Sequence, residues 1–372
     1  MESKLNQMPR FSDGPAAMSP PPPSPAFFDP GQKAWVLSRY QDVLNALREP
    51  ALRQAGPEKA PAQVRKNLTS ALPQSKISEW QEQIEPLADR IIAALPPNRP
   101  VDLVSEVLRP WSLAVTTIVL GLDAKRGRQL AELETHLPGA NADLLAPCQP
   151  GPLLRRVLVA LRRRIAGVRL KRLLRSVRVP GAQSLFLGLS QTLPDFLANA
   201  WLALLENPSQ LERLRAEPYL MPRAIEELLR YSGPVHTLVR QADQTVELAG
   251  VTIAEGERVI LKVALANRDP EHFTDPNSLD IARRTAGHLA LGAGPHSCVG
   301  ALLVRMASTL AIRAFAEKLN KAELIDPVVW RRGSALGSPY SLRVRCDPPE
   351  TSATGRAPLD GQLHERALLE SP

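Results

Sequence analysis

The sequence predicts a mainly α-helical fold with a small β portion, and three observations predict it. Apolar residues recur at helical spacing over most of the 372 residues. Strand-like alternation is confined to a few short pieces. No internal repeat and no uninterrupted apolar stretch of about 18 residues is present, so neither a solenoid nor a membrane-spanning helix is expected.

The helical spacing runs over Tyr40 to Arg48, Ile77 to Leu95, Val101 to Leu120, Leu153 to Val177 and Leu185 to Leu205. It resumes at Leu211 to Arg215, Arg223 to Tyr231 and Ala301 to Leu319. Thr245 to Ile253, the turn at Glu255-Gly256 and Arg258 to Val263 predict a hairpin-rich region, and Tyr340 to Val344 a closing strand. Residues 1–26 read as a Pro-rich disordered tail, 27–347 as a single domain and 348–372 as a polar disordered tail. The N-terminus lacks the hydrophobic core of a signal peptide, and three well-separated cysteines do not make a disulfide framework. The expectation is a soluble, cytoplasmic protein. Hydrophobic residues are 44% but aromatics only 4%, so the core must be built from Leu, Ala, Val and Ile.

The net charge of +8 comes from one segment. Between Gly151 and Pro180 lie Arg155, Arg156, Arg162, Arg163, Arg164, Arg169, Lys171, Arg172, Arg175 and Arg178, with no acidic residue among them. With these set aside the rest of the chain is slightly acidic, which argues against a nucleic-acid partner. The segment reads either as a solvated amphipathic helix packed over the core or as a docking surface for an acidic partner at Arg155 to Arg178. That partner would be a carrier protein bearing the substrate, an anionic substrate or an anionic membrane surface.

The most informative stretch is His288-Leu-Ala-Leu-Gly-Ala-Gly-Pro-His-Ser-Cys-Val-Gly300, followed by an apolar helix from Ala301. Glycines around Cys298 let backbone N–H groups approach the sulfur, and those donors with the following helix N-terminus stabilise a thiolate. By composition alone Cys298 is either a structural cysteine in a turn or such a thiolate, which is a good ligand for haem iron.

Leu291-Gly-Ala-Gly-Pro-His-Ser-Cys-Val-Gly300 resembles the cysteine-ligand loop of bacterial cytochrome P450 enzymes, F-G-x-G-x-H-x-C-x-G, with Leu291 in place of the aromatic. Glu227-Leu-Leu-Arg230 matches the family's E-x-x-R, two charges on one helix face. Asp280-Ile-Ala-Arg283 resembles the segment whose arginine completes the cluster, and Ala266-Asn-Arg-Asp-Pro270 also looks like the family. The resemblance covers roughly Phe27 to Val344. It implies the helical cytochrome P450 fold around a buried haem b, with Cys298 on the iron and Glu227, Arg230 and Arg283 as a structural cluster. It places Arg240 and His296 on the haem propionates, and Arg65 where the family carries H-x-x-x-R, here without the histidine.

Thr192 falls over the threonine that hydrogen-bonds dioxygen in that family, within Gly188-Leu-Ser-Gln-Thr-Leu193. Gln191 replaces the family's acid and can orient water but cannot cycle a proton. Pro194 removes an amide donor and frees the carbonyl of Ser190. By the same resemblance, residues near His236 and Thr237 and from Ala335 to Ser338 line the substrate pocket. The chain is short for the family between Ala146 and Gly188, where the helices roofing that pocket normally lie.

The implied activity is a haem-thiolate monooxygenase of specialised metabolism. Its substrate is a small or carrier-protein-bound molecule, and its electrons come from a ferredoxin-type donor and its reductase. Two other readings stay open: non-hydroxylating oxidative chemistry, and a catalytically idle haem-binding recruitment module.

Overall fold

Strand β1 (Phe27–Asp29) and strand β2 (Ala34–Leu37) begin a five-stranded sheet. The computed structural model describes residues 24–54, 66, 68–70, 72–95, 99–134, 153–175 (backbone only over 153–163), 177, 179, 181–284, 287–318, 322–330 and 337–345. Both expected tails lie almost wholly outside the described residues, as do Arg65, Cys148 and Cys346.

Strand β3 (Leu52–Gln54), strand β5 (Leu238–Ala242) and strand β8 (Arg258–Leu261) complete that sheet in the order β1-β2-β8-β5-β3. β2 runs parallel to β8, and β5 lies antiparallel to both β8 and β3. The expected hairpin-rich region contains one tight hairpin and one strand that joins the larger sheet. Among the described residues strand β6 (Val246–Leu248) pairs with strand β7 (Val251–Ile253) alone, through Ala249 and Gly250 at positive φ, whereas Arg258 to Leu261 turns back onto β5. Helix α1 (Tyr40–Arg48) buries Tyr40, Val43, Ala46 and Leu47 against this sheet.

The helical body has its own core. Helix α2 (Gln74–Ala93) packs along helix α11 (Ala301–Lys318), burying Ile77, Trp80, Ile84 and Leu87 at helical spacing. Val101 to Leu120, expected as one helix, divides into three pieces. Strand β4 (Val101–Asp102) pairs with strand β12 (Arg343–Arg345), a π-helical stretch covers Leu103–Leu108, and helix α3 follows over Arg109–Val119. The Asp102 carboxylate explains the break. Its Oδ1 accepts the amides of Val104 and Leu342, capping the turn and tying it to the C-terminal strands. Tyr340 to Val344 is likewise two strands: β11 (Pro339–Ser341), paired with β10 (Val329–Trp330), and then β12, which also pairs with β9 (Glu323–Leu324).

Helix α4 (Ala124–Glu134) and the basic helix α5 (Leu153–Leu174) pack together, and α5 also touches helix α6 (Ala182–Leu187). Next comes a five-residue π turn, Gly188–Thr192, and then helix α7 (Leu193–Glu206). Every residue of α7 from Leu193 to Leu204 is buried, including Asp195 and Asn199, which marks it as the central helix. Trp201 on α7 and Trp111 on α3 both meet Phe315 on α11, with ring centroids 6.4 and 6.1 Å away. Helix α8 (Pro208–Ala216) and helix α9 (Met221–Ser232) close the body, and the short helix α10 (Val263–Ala266) leads toward the cysteine loop. Among the described residues no helix is long and apolar enough to cross a membrane.

Candidate active site

Two charged clusters and one loop build the site. On α9, Glu227 and Arg230 lie three apart on one face with their side chains fully buried. The Arg230 guanidinium donates twice to Glu227, at 2.7 and 2.8 Å, and also to the carbonyls of Asn267, Pro276 and Ser278. Arg283 Nε donates to Glu227 Oε1 at 3.0 Å, and the Asp280 amide to the same oxygen at 3.1 Å. The three residues grouped by resemblance are thus in contact.

The segment Ala266 to Pro270 links that cluster to the cysteine loop. Asn267 gives its carbonyl to Arg230 and accepts the Leu289 amide on Oδ1 at 2.7 Å. Asp269 Oδ2 accepts the amide of Tyr40, at the start of α1. The loop itself is pinned by the Gly292 amide on Leu289 O and the Cys298 amide on Leu291 O at 2.7 Å. Gly294 sits at φ +65°, and a Cβ there would lie 2.8 Å from both Arg48 Cα and Leu47 O, so the end of α1 closes directly over a residue that must be glycine. Cys298 emerges exposed just before α11, beside a cavity of about 280 Å³.

That cavity holds a group that sequence reasoning missed. Glu226, the neighbour of Glu227 on α9, accepts from Arg305 Nε at 2.5 Å and Nη2 at 2.9 Å, and pairs with His288 Nε2 at 3.1 Å. Burial would raise the Glu226 carboxyl, but the Arg305 and His288 contacts override it and hold it at about 2. The available signal was position: His288 lies ten residues before Cys298, Arg305 seven after, and Glu226 beside the paired glutamate.

On the sheet side, Arg240 of β5 is 4% exposed. Its Nη1 donates to Val239 O, and its buried Nε has no hydrogen-bond partner among the described residues. Burial pushes its pKa down, and no carboxylate among the described residues pairs with it. A buried guanidinium in that state lacks an anionic partner, which a ligand carboxylate would supply. His296 is exposed in the short turn Gly294–His296.

The π turn brings Leu189, Ser190 and Gln191 into buried positions, with Thr192 half-buried at its end. The Leu193 amide bonds back to Gly188 O, five residues earlier, so the distortion expected from Pro194 takes the form of a π bulge. Ser190 Oγ is buried without a hydrogen-bond partner among the described residues. Beyond it, Asn199 Nδ2 of α7 donates to Gly337 O at 2.6 Å, and the Gly337 amide to Pro234 O. A Cβ on Gly337 would lie 2.0 Å from His236 Cε1, so the two expected pocket segments do meet. Ala335 and residue 336 lie outside the described residues. Burial, with Arg268 and Lys262 nearby, pushes His236 down to about 4, so its ring is neutral at neutral pH.

Comparison with known proteins settles the family. The family model described as cytochrome P450 matches residues 205–320. Cytochrome P450-SU2 of Streptomyces griseolus is 30% identical over 362 residues, spanning 84% of this chain and 88% of its own. The chain belongs to the cytochrome P450 family. The fold agrees: cytochrome P450 CYP109B1 of Bacillus subtilis superposes with a TM-score of 0.76 at 24% identity, covering 87% of this chain and 96% of that one. P450BioI, solved in complex with acyl carrier protein ligated with hexadec-9Z-enoic acid, gives 0.73 at 21% identity, covering 84% and 91%.

As a cytochrome P450, this protein is an oxidoreductase that works with haem. The residues present fit that group. Cys298 offers an exposed thiol at the start of a helix, and Arg240 a buried cation without a counter-charge among the described residues.

Proposed function

We propose that this P450 is a haem b monooxygenase in which Cys298 ligates the iron and Arg240 and His296 hold the propionates. Its substrate is a small organic or carrier-bound molecule of specialised metabolism, and its electrons come from a separate ferredoxin and reductase. The observation that carries the reading is the buried Arg240, desolvated and lacking a carboxylate among the described residues, in the same chain as the exposed Cys298. When bound, the haem supplies oxygen activation, with the thiolate pushing electron density toward O–O cleavage. The protein's own groups position and deliver. Thr192, at the end of the π turn, donates or accepts at the dioxygen site through its hydroxyl. Gln191 orients water there with its amide. His236, neutral and enclosed by Gly337, walls the substrate side without adding charge.

The carbon-monoxide spectrum of the reduced protein tests the ligation. A thiolate-type Soret shift is expected, and its absence sinks the claim. Incorporation of oxygen into product, in turnover driven by a surrogate ferredoxin system, separates a monooxygenase from a P450 of non-hydroxylating oxidative chemistry, for which Gln191 in place of the family's acid is a motive. Turnover that leaves no oxygen in the product would replace the monooxygenase reading with that one.

The basic helix α5 is proposed as the docking surface for an acidic partner. Ala166, Leu170 and Leu174 face inward, while Arg164, Arg169, Lys171, Arg172 and Arg175 are exposed, as are Ile165 and Val168. Among its described side chains the exposed face is mostly cationic, with only Ile165 and Val168 apolar, and an acidic carrier protein suits that charge. Reversing charge at Arg164, Arg169 and Arg172 is expected to weaken binding of an acyl-loaded carrier protein about tenfold or more at low salt, with the difference shrinking at high salt. Unchanged affinity by titration would reject the assignment.

A further inference from the structure

We infer that Arg305, forked onto a Glu226 carboxylate that His288 also holds, is a positioning residue that fixes a balanced charge pair beside the Cys298 sulfur and so sets the reduction potential of the haem. The inference rests on the haem-thiolate reading above and extends it to three residues that reading does not use.

The geometry is that of a built clamp. Glu226, His288 and Arg305 come from α9, the loop and α11, and all three line the cavity that Cys298 also lines. The Arg305 guanidinium forks onto the Glu226 carboxylate through Nε and Nη2, which fixes both its plane and its position. His288 holds the second carboxylate oxygen, and its side chain is only 4% exposed. Its Nδ1 is buried with no hydrogen-bond partner among the described residues, so the ring is committed to Glu226 alone. The pair is partly screened from water, with side-chain exposures of 36% for Arg305 and 27% for Glu226. In the same region the Cys298 charge favours the charged form of Arg305, an effect smaller than that of the Glu226 hydrogen bond.

Charge beside a thiolate acts on the iron through the ligand. A cation near the sulfur holds its electron density back and stabilises the added electron of the reduced iron, and an anion does the reverse. Here the two are locked together, so the net field at the sulfur is small and fixed. Leu291, which stands where the family has an aromatic, lines the same cavity and contributes no polar group to this field.

The prediction has opposite signs for the two partners. Arg305→Gln leaves Glu226 uncompensated and moves the haem potential to more negative values. Glu226→Gln leaves Arg305 uncompensated and moves it to more positive values. The double variant returns toward the unaltered protein, which the cycle measures as coupling. A merely structural clamp would shift both single variants in the same direction, together with a fall in thermal midpoint. The experiment is spectroelectrochemical titration of the four haem-loaded proteins, each first checked by its reduced carbon-monoxide spectrum. Opposite shifts support the inference. If the thiolate-type band is retained and the potentials are unmoved, or move together, the inference falls alone. If the unaltered protein lacks that band, the haem-thiolate reading falls and takes the inference with it.

Discussion

Cys298→Ala is expected to abolish the thiolate-type carbon-monoxide band and ferredoxin-driven oxidation together, while the protein stays folded. The thiol is exposed, so truncating it removes little packing, and an effect on stability within about 0.5 kcal/mol is expected. The loop does not depend on the side chain for its shape. It is held by the Cys298 amide on Leu291 O, the Leu289 amide on Asn267 Oδ1, and the closure of α1 over Gly294. Chemistry, by contrast, depends on the sulfur wholly. Loss of a partner that merely supports a metal ligand costs about 10–100-fold, and loss of the ligand itself costs more. The measurement pairs the reduced carbon-monoxide spectrum with a thermal melt. A surviving thiolate-type band in the variant overturns Cys298 as ligand, and a collapsed melt would show that the cysteine is structural, the alternative that its loop composition left open.

The site was legible in the sequence where its chemistry is local. The cysteine loop carries its glycines, histidine and thiol within ten residues, and Glu227 with Arg230 needs only one helical turn. The Arg283 contact, 56 residues from Glu227, was reachable only through the order of segments. Glu226, His288 and Arg305 escaped because they meet across separations of 62 and 79 residues, and each alone reads as an ordinary polar residue. The fold shows the same division. The amphipathic faces of α1, α2 and α9 announced themselves by period. Val101 to Leu120 did not, because apolar residues in a strand end, a π stretch and a helix can share a helix-like spacing. Pairing of Val101 with Val344 and the Asp102 cap decided the boundaries, and both are tertiary facts. Pro194 did signal a distortion, but its conversion to a π bulge ending at Thr192 depends on the burial of α7.

Glu227→Gln is expected to destabilise the protein by about 3–5 kcal/mol, the loss that follows when one partner of a buried ion pair is removed. Its carboxylate accepts four hydrogen bonds: two from Arg230, one from Arg283 and one from the Asp280 amide. The Glu227 and Arg230 side chains are fully buried, and that of Arg283 is 15% exposed. Neutralising the acid leaves two guanidinium groups facing one another with no counter-charge, and water cannot replace it in that space. The exposed pair Lys76–Glu79, with 44% and 54% exposure, provides the contrast; Glu79→Gln should cost less than about 1 kcal/mol. Folding stability of a domain is commonly about 5–15 kcal/mol, so the Glu227 loss removes a large share of it. The damage should also reach the haem site. Arg230 holds the carbonyl of Asn267, whose side chain holds the Leu289 amide at the root of the cysteine loop. Urea unfolding followed by fluorescence and by the haem band tests both expectations. The variant should lose its haem band at lower urea than its fluorescence transition, whereas coincident transitions with an unchanged midpoint would refute the coupling of this cluster to the loop.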